Sequence, residues 1–316
     1  MKPDAHGERT HRWQDWDLTS LLRRKAETGL TTSLVVPARN EAATVGAVVS
    51  RVRSALMETT SLLDEIVVID SDSTDDTFTV ASDAGAVVHR SHEIRPELGT
   101  HAGKGEAMWK SLFVTRGDLI VFMDADLVDW DTHFVPGLLG PLLTGDGIAL
   151  VKGFYERTAG EDAAGDASLD GGRVTELVAR PLIALEWPEL GWLVQPLAGE
   201  WAVRRDLFER LCVPTGYAVE LAALIDTARL LGPAAIAQVD LGRRAHRHQS
   251  LHDLGGMAAQ ILAASTRRST GSAADHVALD QPRKVGAEVA TVRREIPLVE
   301  RPPAIGASGG VQGFPP

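Results

Sequence analysis

The chain has 316 residues, of which 44% are hydrophobic and 24% are charged. Its 43 acidic and 32 basic side chains give a formal net charge of −11. This balance argues against a general binder of nucleic acid or anionic membranes, because attraction to phosphate backbones needs a basic face. The single cysteine, Cys212, excludes an internal disulfide and a zinc site built from cysteines. Without an apolar run of about 18 residues or an apolar start, we expect a cytoplasmic protein.

The first half of the chain alternates short β-branched runs with segments of helical period. This alternation predicts an α/β fold with a mostly parallel sheet flanked by helices. The N-terminal dozen residues are polar and expected to be loose, before an amphipathic stretch over 18–25. The predicted strands cover 33–37, 65–70, 86–89 and 119–123, and the predicted helices cover 44–57 and 105–115.

The second half is less regular. It predicts strands over 148–154 and 235–241 and helices over 174–185, 217–231 and 251–266. Small, acidic and glycine residues dominate 159–171, which favours a mobile surface loop. From 269 onward periodicity disappears among Gly, Ala, Ser and Pro, and we expect a flexible tail.

Polar residues follow three of the predicted strands, at 37–41, 70–76 and 124–126. Ligands of open parallel sheets bind beyond the carboxyl ends of the strands, so these residues are expected to meet at one rim. Asp124 and Asp126 directly follow an apolar strand and can hold a hard divalent cation. A turn with a helix cap is the structural alternative for two aspartates in this pattern.

Lys104 lies between Gly103 and Gly105 at the start of a predicted helix. The segment is not a phosphate loop, since Gly99 is one residue too close to Gly103 and Gly105 replaces the required Ser or Thr. A lysine there still favours a diphosphate contact, through its charge and free backbone N–H groups. An ordinary exposed lysine is the alternative.

Three further segments carry candidate binding residues. Gly172, Arg173 and Thr175 precede a predicted helix and suit a small phosphorylated or carboxylated acceptor, or form an ordinary loop entering that helix. His246 and His248 share a side of an extended chain and are candidate metal ligands, or belong to a basic surface run. The i, i+3 spacing of Tyr217 and Glu220 places both residues on one face of a predicted helix. The spacing leaves open whether that face lines a cleft, belongs to the core or lies at the surface.

Taken together, the ordered motifs resemble a GT-A nucleotide-sugar glycosyltransferase. The similarity narrows to the actinobacterial glucosyl-3-phosphoglycerate synthase family and runs from about residue 13 to 264. The motifs that carry it lie at 36–41, 70–76, 103–109, 124–126, 141–147, 171–182, 195–200 and 244–247.

The resemblance implies a GT-A type, Rossmann-like sheet with a C-terminal acceptor-binding subdomain. It implies a retaining transfer of glucose from UDP-glucose to the 2-hydroxyl of 3-phosphoglycerate, dependent on Mg²⁺ or Mn²⁺, by a homodimer that binds neither nucleic acid nor membrane. The corresponding organisation is an N-terminal arm and helix over 1–30, a nucleotide-sugar-binding region over 31–150, an acceptor-binding and catalytic region over 151–268 and a flexible tail over 269–316.

The resemblance also implies roles for individual residues. The donor would contact Pro37, Ala38, Arg39, Glu41, Ser71, Lys104, Asp124 and Ala125. Asp126 and His246 would hold the metal, and Lys104, Glu220 and the backbone carbonyl of Leu197 would act at the reacting centre. The acceptor would contact Gly172, Arg173 and Thr175, with Tyr217, Arg244 and His248 as neighbours. His248 stands where close relatives are expected to have an amide side chain.

Two alternatives stay open. One is another GT-A transferase with a different donor or acceptor, such as a mannosyl donor or a polyprenyl phosphate acceptor. The other is a non-catalytic nucleotide-sugar-binding module, which would be expected to have lost part of the metal set. Asp124, Asp126 and His246 are all present, which favours the enzyme.

Overall fold

The computed structural model describes residues 9–158, 172–245, 251–286 and 288–307. The strands are β1 (Thr10–Arg12), β2 (Thr32–Ala38), β3 (Glu65–Asp70), β4 (Val87–Arg90), β5 (Leu119–Phe122), β6 (Leu150–Thr158), β7 (Trp201–Arg204), β8 (Val213–Pro214), β9 (Ile236–Ala245), β10 (His276–Val285), β11 (Glu288–Pro297) and β12 (Glu300–Arg301). The helices are α1 (Leu18–Thr28), α2 (Val45–Arg53), α3 (Thr77–Asp83), α4 (Lys104–Ser111), α5 (Phe134–Thr144), α6 (Arg180–Glu186), α7 (Arg205–Phe208), α8 (Val219–Leu231), α9 (Leu251–Thr270) and α10 (Ala304–Ala307).

The central sheet has eight strands in the order β1-β9-β6-β7-β5-β2-β3-β4. β7 runs antiparallel to both of its neighbours, and the other pairs are parallel. The central strands β2, β3 and β5 are almost continuously apolar because helices cover both faces of the sheet. The predicted α/β fold with a mostly parallel sheet is confirmed.

The two faces of the sheet form two hydrophobic clusters, because successive side chains of a strand point to opposite sides. Leu34 and Val36 of β2 belong to the cluster beneath α1, α2, α3 and α5. Val35 belongs to the other, beneath α4, α6, α8 and α9. Each cluster therefore fixes a different set of helices relative to the same strand ends.

The N-terminal arm is more ordered than the sequence predicts. Residues 10–12 form the edge strand β1, which pairs in parallel with β9. Trp13 and Trp16 then pack on α5, where a Cβ at Gly140 would overlap the Trp16 ring. The sequence pattern missed α5 because it contains Pro141 and several glycines, whose small size the two tryptophans need.

The expectation of a flexible, irregular tail from 269 is wrong for the described part of that segment. α9 continues to Thr270, β10 and β11 form an antiparallel hairpin, and β12 pairs with β8. The hairpin escaped prediction because most side chains of β11 are exposed, so the strand lacks a buried alternating face. The predicted loop over 159–171 lies outside the described residues.

None of the helices in the described part of the chain is long and apolar enough to cross a membrane.

Candidate active site

The segments after β2 and β3 are joined by hydrogen bonds at the carboxyl edge of the sheet. Ser71 donates its backbone N–H to the Ala38 carbonyl at 2.8 Å. Asn40 donates its N–H to the Ser73 hydroxyl at 2.9 Å, and its side-chain oxygen accepts from the Thr74 N–H at 2.8 Å. These bonds bring Ser71 next to the segment 37–41, as predicted for a single rim. They also show that the Ser73 hydroxyl joins the two loops.

The predicted donor residues on this rim differ in exposure. Ala38 and Ala125 are buried, whereas Arg39 is exposed. Pro37, Glu41 and Ser71 are half-buried. The rim thus presents a mixed surface of backbone and short side chains, which suits a flat, partly polar ligand.

Lys104 is at the centre of the site. Its ammonium lies 2.6 Å from an Asp124 carboxylate oxygen and 2.8 Å from a Glu220 carboxylate oxygen. Asp124 follows β5, Lys104 begins α4 and Glu220 is in the first turn of α8. Three residues from separate elements, each predicted as a site residue, therefore meet at one point.

Arg244 occupies the other side of Asp124. Its guanidinium lies 3.2 Å from Asp124 and 3.2 Å from Asp126, and 2.9 Å from Glu200. The same side chain donates to the Tyr155 hydroxyl at 2.6 Å. Arg244 was predicted as a neighbour of the acceptor, and the structure places its guanidinium against Asp124, Asp126 and Glu200.

Mutual pairing sets the charge states of Lys104 and Asp124. Burial by itself would lower the pKa of Lys104, but Asp124 and Glu220 outweigh it and hold that pKa above its ordinary value. Burial would likewise raise the pKa of Asp124, but Lys104 and Arg244 hold it well below its usual range. Both groups are therefore charged at neutral pH.

Two neighbouring carboxylates shift the other way. Burial and the adjacent Asp124 charge raise the pKa of Asp126. Burial raises the pKa of Glu200 despite its pairing with Arg244. Four carboxylates surround three basic groups in this cluster: Asp124, Asp126, Glu200 and Glu220 against Lys104, Lys152 and Arg244. The excess of negative charge favours an additional cation.

The glycines beside Lys104 have a packing role that the sequence interpretation missed. A Cβ at Gly103 or Gly105 would overlap the backbone of 214–216. The N–H groups of Gly105 and Glu106 donate to the Gly216 and Thr215 carbonyls at 3.2 and 2.9 Å. The expectation that the N–H groups of this segment are free for a diphosphate is wrong for Gly105 and Glu106, while the Lys104 ammonium faces the carboxylates at the rim.

Leu197 lies in a loop that is held by contacts with Lys152 of β6 and with Asp124. Lys152, buried within β6, donates a hydrogen bond to the Ala198 carbonyl. Gly199 packs directly on the Asp124 carboxylate, where a Cβ would overlap it. The loop that carries the Leu197 carbonyl is therefore fixed against the ion-pair cluster.

The predicted acceptor residues lie on a separate segment before α6. Gly172 has a φ of +94° and accepts the Glu176 N–H at 3.0 Å, Thr175 is buried and Arg173 is exposed. Arg180 ties this segment to the loop of Leu197 by donating to the Val194 carbonyl at 2.6 Å. The exposed Tyr217 is held at its backbone N–H by Gln260, at 2.9 Å.

The carboxylate oxygens of this cluster fit a hard divalent cation such as Mg²⁺ or Mn²⁺. Carboxylate oxygens are the ligands these ions prefer, and Asp126 retains 32% exposure of its side chain on the rim. No three His, Cys, Asp or Glu side chains converge as a complete metal site within the described ranges. The two predicted histidines, His246 and His248, lie just after β9 and outside the described residues.

Sequence reasoning did not assign Lys152, Tyr155 or Glu200 to the site. The sequence does carry a weak signal for Lys152, because a lysine inside the apolar run 148–154 requires a buried partner. Glu200 closes a motif that carried the family resemblance, yet its contact with Arg244 depends on the pairing of β6 with β7 and β9.

Comparison with known proteins identifies the family of this chain. The model of the glycosyl transferase family 2 matches residues 33–211. Glucosyl-3-phosphoglycerate synthase of Mycobacterium tuberculosis H37Rv is 46% identical over 293 residues, covering 91% of this chain and 89% of the relative. The chain belongs to the glucosyl-3-phosphoglycerate synthases of this glycosyl transferase family.

Solved structures extend the comparison to ligands. A crystal structure of the M. tuberculosis enzyme with Mn²⁺, UDP-glucose and phosphoglyceric acid is 44% identical, with a TM-score of 0.80, and covers 92% of this chain and 95% of that one. Another structure of that enzyme contains Mg²⁺ and UDP. The mannosyl-3-phosphoglycerate synthase of Rubrobacter xylanophilus is 38% identical, with a TM-score of 0.86, and covers 96% of each chain.

Proposed function

We propose that the protein transfers glucose from UDP-glucose to the 2-hydroxyl of 3-phosphoglycerate, giving glucosyl-3-phosphoglycerate and UDP with retention at the anomeric carbon. The observation that carries the proposal is the cluster in which Lys104 joins Asp124 and Glu220 at the rim, beside the half-exposed Asp126. This cluster belongs to a chain that is 46% identical to the glucosyl-3-phosphoglycerate synthase of M. tuberculosis H37Rv.

The donor site extends along the rim from 37–41 to Asp124. Pro37, Ala38, Arg39, Glu41 and Ser71 hold the uridine, and Ala125 closes the pocket beside Asp124. Asp126 and His246 hold Mg²⁺ or Mn²⁺, which when bound neutralises negative charge on the diphosphate. Lys104 places a second positive charge toward the same leaving group, and Glu220 accepts hydrogen bonds from the glucose hydroxyls.

The acceptor site is formed by Gly172, Arg173 and Thr175, which receive the phosphate of 3-phosphoglycerate. Tyr217 and His248 border it. Arg244 contacts Asp124, Asp126 and Glu200 through its guanidinium. Its role is therefore to orient these carboxylates as well as to neighbour the acceptor.

The transfer takes place on one face of the sugar. The bond between the anomeric carbon and the diphosphate oxygen breaks, and its electron pair leaves with UDP. The acceptor oxygen forms the new bond on that face beside the Leu197 carbonyl, and its proton passes to the departing phosphate. A double displacement would need a free carboxylate nucleophile, whereas Glu200 and Glu220 are engaged by Arg244 and Lys104.

The first test measures UDP release from UDP-glucose with Mg²⁺, with and without 3-phosphoglycerate, together with the mass of the product. Release that depends on the acceptor, with a hexosyl-phosphoglycerate mass, supports reaction class, donor and acceptor together. If UDP-glucose fails to bind in the presence of metal, the donor site is wrongly assigned.

A mannosyl donor is the second candidate. The mannosyl-3-phosphoglycerate synthase structure superposes on this chain with a TM-score of 0.86, so overall shape does not separate the two sugars. Equal concentrations of UDP-glucose and GDP-mannose in one reaction, followed by product sugar analysis, decide between them. Predominant mannose in the product would replace glucose in the proposal.

We further propose a cytoplasmic homodimer. Strands β10 and β11 form a two-stranded hairpin whose second strand is mostly exposed, and such hairpins gain stability when another surface covers them. Light scattering of the purified protein tests the dimer, and cell fractionation tests the location. A monomeric mass at micromolar concentration would contradict the dimer.

A further inference from the structure

The C-terminal segment 298–302, which we call the C-terminal strap, crosses the molecule beside the loop 213–216. Glu300 and Arg301 pair with Pro214 and Val213 as strand β12 against β8. The Val299 carbonyl accepts the Thr215 N–H at 3.0 Å. The strap thus fixes the backbone of the loop 213–216 by main-chain hydrogen bonds.

Arg301 of the strap also grips α4. Its guanidinium donates to both carboxylate oxygens of Glu106, at 2.7 and 2.6 Å. The same group donates to the carbonyls of Leu98 and Gly99 at 2.7 and 2.9 Å, and lies 4.8 Å above the Trp109 ring. Each of these side-chain contacts is with α4 or with the segment leading into it.

The Arg301–Glu106 pair is buried, with side-chain exposures of 8% and 1%. A buried ion pair contributes little net stability compared with well-packed apolar residues, because both charges lose their hydration. A bidentate guanidinium–carboxylate pair does fix direction and spacing. The pair is therefore better suited to holding α4 in one place than to stabilising the fold as such.

The strap reaches the start of α4 by a second route. Thr215, held by Val299, accepts the Glu106 N–H through its own carbonyl at 2.9 Å, and the neighbouring Gly216 accepts from Gly105. Lys104 is the first residue of α4 and precedes both donors. The backbone around Lys104 is thus held through the loop 213–216 and through Glu106.

We propose that Arg301 is a positioning residue for Lys104: together with Glu106 and the strap, it holds the first turn of α4 so that the ammonium faces the donor diphosphate. This inference rests on the proposed function in taking Lys104 as a diphosphate contact. It assigns an active-site role to a segment 195 residues away from Glu106 along the chain.

The test uses the full-length protein and four forms: parent, Arg301→Met, the double variant Glu106→Gln/Arg301→Met, and Arg23→Met as control. Arg23 is an exposed arginine of α1 that pairs with Glu27. The double variant removes both charges of the pair, so neither is left buried without the other, and it remains measurable if Arg301→Met does not fold. Calorimetry measures UDP affinity with Mn²⁺, kinetics give kcat and both KM values, and thermal unfolding gives Tm.

We expect the double variant to recover much of the Tm lost by Arg301→Met but to keep a UDP affinity reduced about 5-fold or more and a kcat reduced about 10-fold or more. The KM for 3-phosphoglycerate should change less than the UDP affinity, because the strap contacts described above go to α4, the segment leading into it and the loop 213–216 rather than to residues 172–175. Arg23→Met should match the parent in every measurement.

A double variant with parental UDP affinity and kcat would overturn the proposal and leave the pair a purely structural one. An equal rise of both KM values with loss of Tm would do the same. A parent that binds UDP without forming product would instead count against the proposed function, since the affinity comparison among the variants needs no acceptor.

Discussion

The carboxylate of Glu220 is almost fully buried, with 5% exposure, and its partner is the Lys104 ammonium at 2.8 Å. Replacing it by an amide keeps its size but removes the charge that pairs with Lys104. The roles of both residues depend on that pairing, since a misdirected ammonium stabilises the leaving group less.

We therefore predict that Glu220→Gln lowers kcat by about 100-fold with little change in Tm. Steady-state assays of UDP release measure the loss. The control is Glu27→Gln, because Glu27 is an exposed residue of α1 that pairs with Arg24. Mass spectrometry of the variant with UDP-glucose should show no glucosylated protein. A trapped covalent glucosyl intermediate would contradict the same-face mechanism.

Lys152 is a buried ammonium with a measurable dependence on pH. Burial is the main cause that lowers its pKa, to about 8 from an ordinary value of 10.5. Between these two values the unfolded chain binds the proton more tightly than the folded one. The contribution of Lys152 to the free energy of unfolding therefore rises with pH across this window, and it is least favourable below pH 8.

We predict that Lys152→Met changes this pH dependence. The difference in the free energy of unfolding between variant and parent should shift by on the order of 3 kcal/mol, in favour of the parent, from pH 7.5 to 10.5. Denaturant unfolding at several pH values measures it. Activity should fall at every pH because the Ala198 carbonyl loses its donor, and a pH-independent difference would show that Lys152 titrates normally.

At the scale of the element, the start of α4 depends on the close approach of two backbones. A Cβ at Gly105 would overlap the Pro214 carbonyl, and the backbone atoms on both sides are fixed by hydrogen bonds. The helix would have to move away from the loop 213–216 to accommodate one methyl group. Lys104, one residue earlier, would move with it.

Gly105→Ala should therefore destabilise the protein by about 1–3 kcal/mol and reduce UDP affinity. Gly306→Ala is the matched control, because a Cβ at that position meets open space and the backbone there is ordinary. Thermal unfolding and UDP calorimetry are the readouts. A fully stable Gly105→Ala protein with normal UDP binding would show that α4 can shift freely.

Elements also differ in how well their sequences reveal them. The strands β2, β3 and β5 are buried on both faces and are evident as apolar runs. β7 has only four residues and joins the sheet antiparallel between β5 and β6, a pairing with no local pattern. β10 and β11 lack a buried face of their own, so their periodicity is faint.

At the scale of the whole molecule, metal and UDP should stabilise the protein together. The cluster carries an excess of negative charge, and the cation balances it most fully when the diphosphate supplies further ligands. At ligand concentrations about 100 times Kd, the expected gain is roughly 2.7 kcal/mol. We predict a rise in Tm with Mn²⁺ and UDP that a chelator abolishes, together with glucosyl transfer.

Asp126→Asn should remove most of this rise while leaving the Tm of the free protein close to that of the parent. Asp129→Asn, a change at a residue three positions further along the chain, serves as the control for loss of one charge. An equal stabilisation by UDP with and without chelator would show that the diphosphate binds through the protein alone.

The sequence by itself determined the sheet class, the rim and the family. These are visible in the sequence because they depend on neighbouring residues: the strand patterns, the pair Asp124 and Asp126, and the order of the motifs. The tertiary structure decided which charges meet. Arg244 reaches Asp124 across 120 residues, and Arg301 reaches Glu106 across 195. Such pairs form only where packing has already closed long loops and removed water. The spacing of the residues along the chain therefore does not predict them.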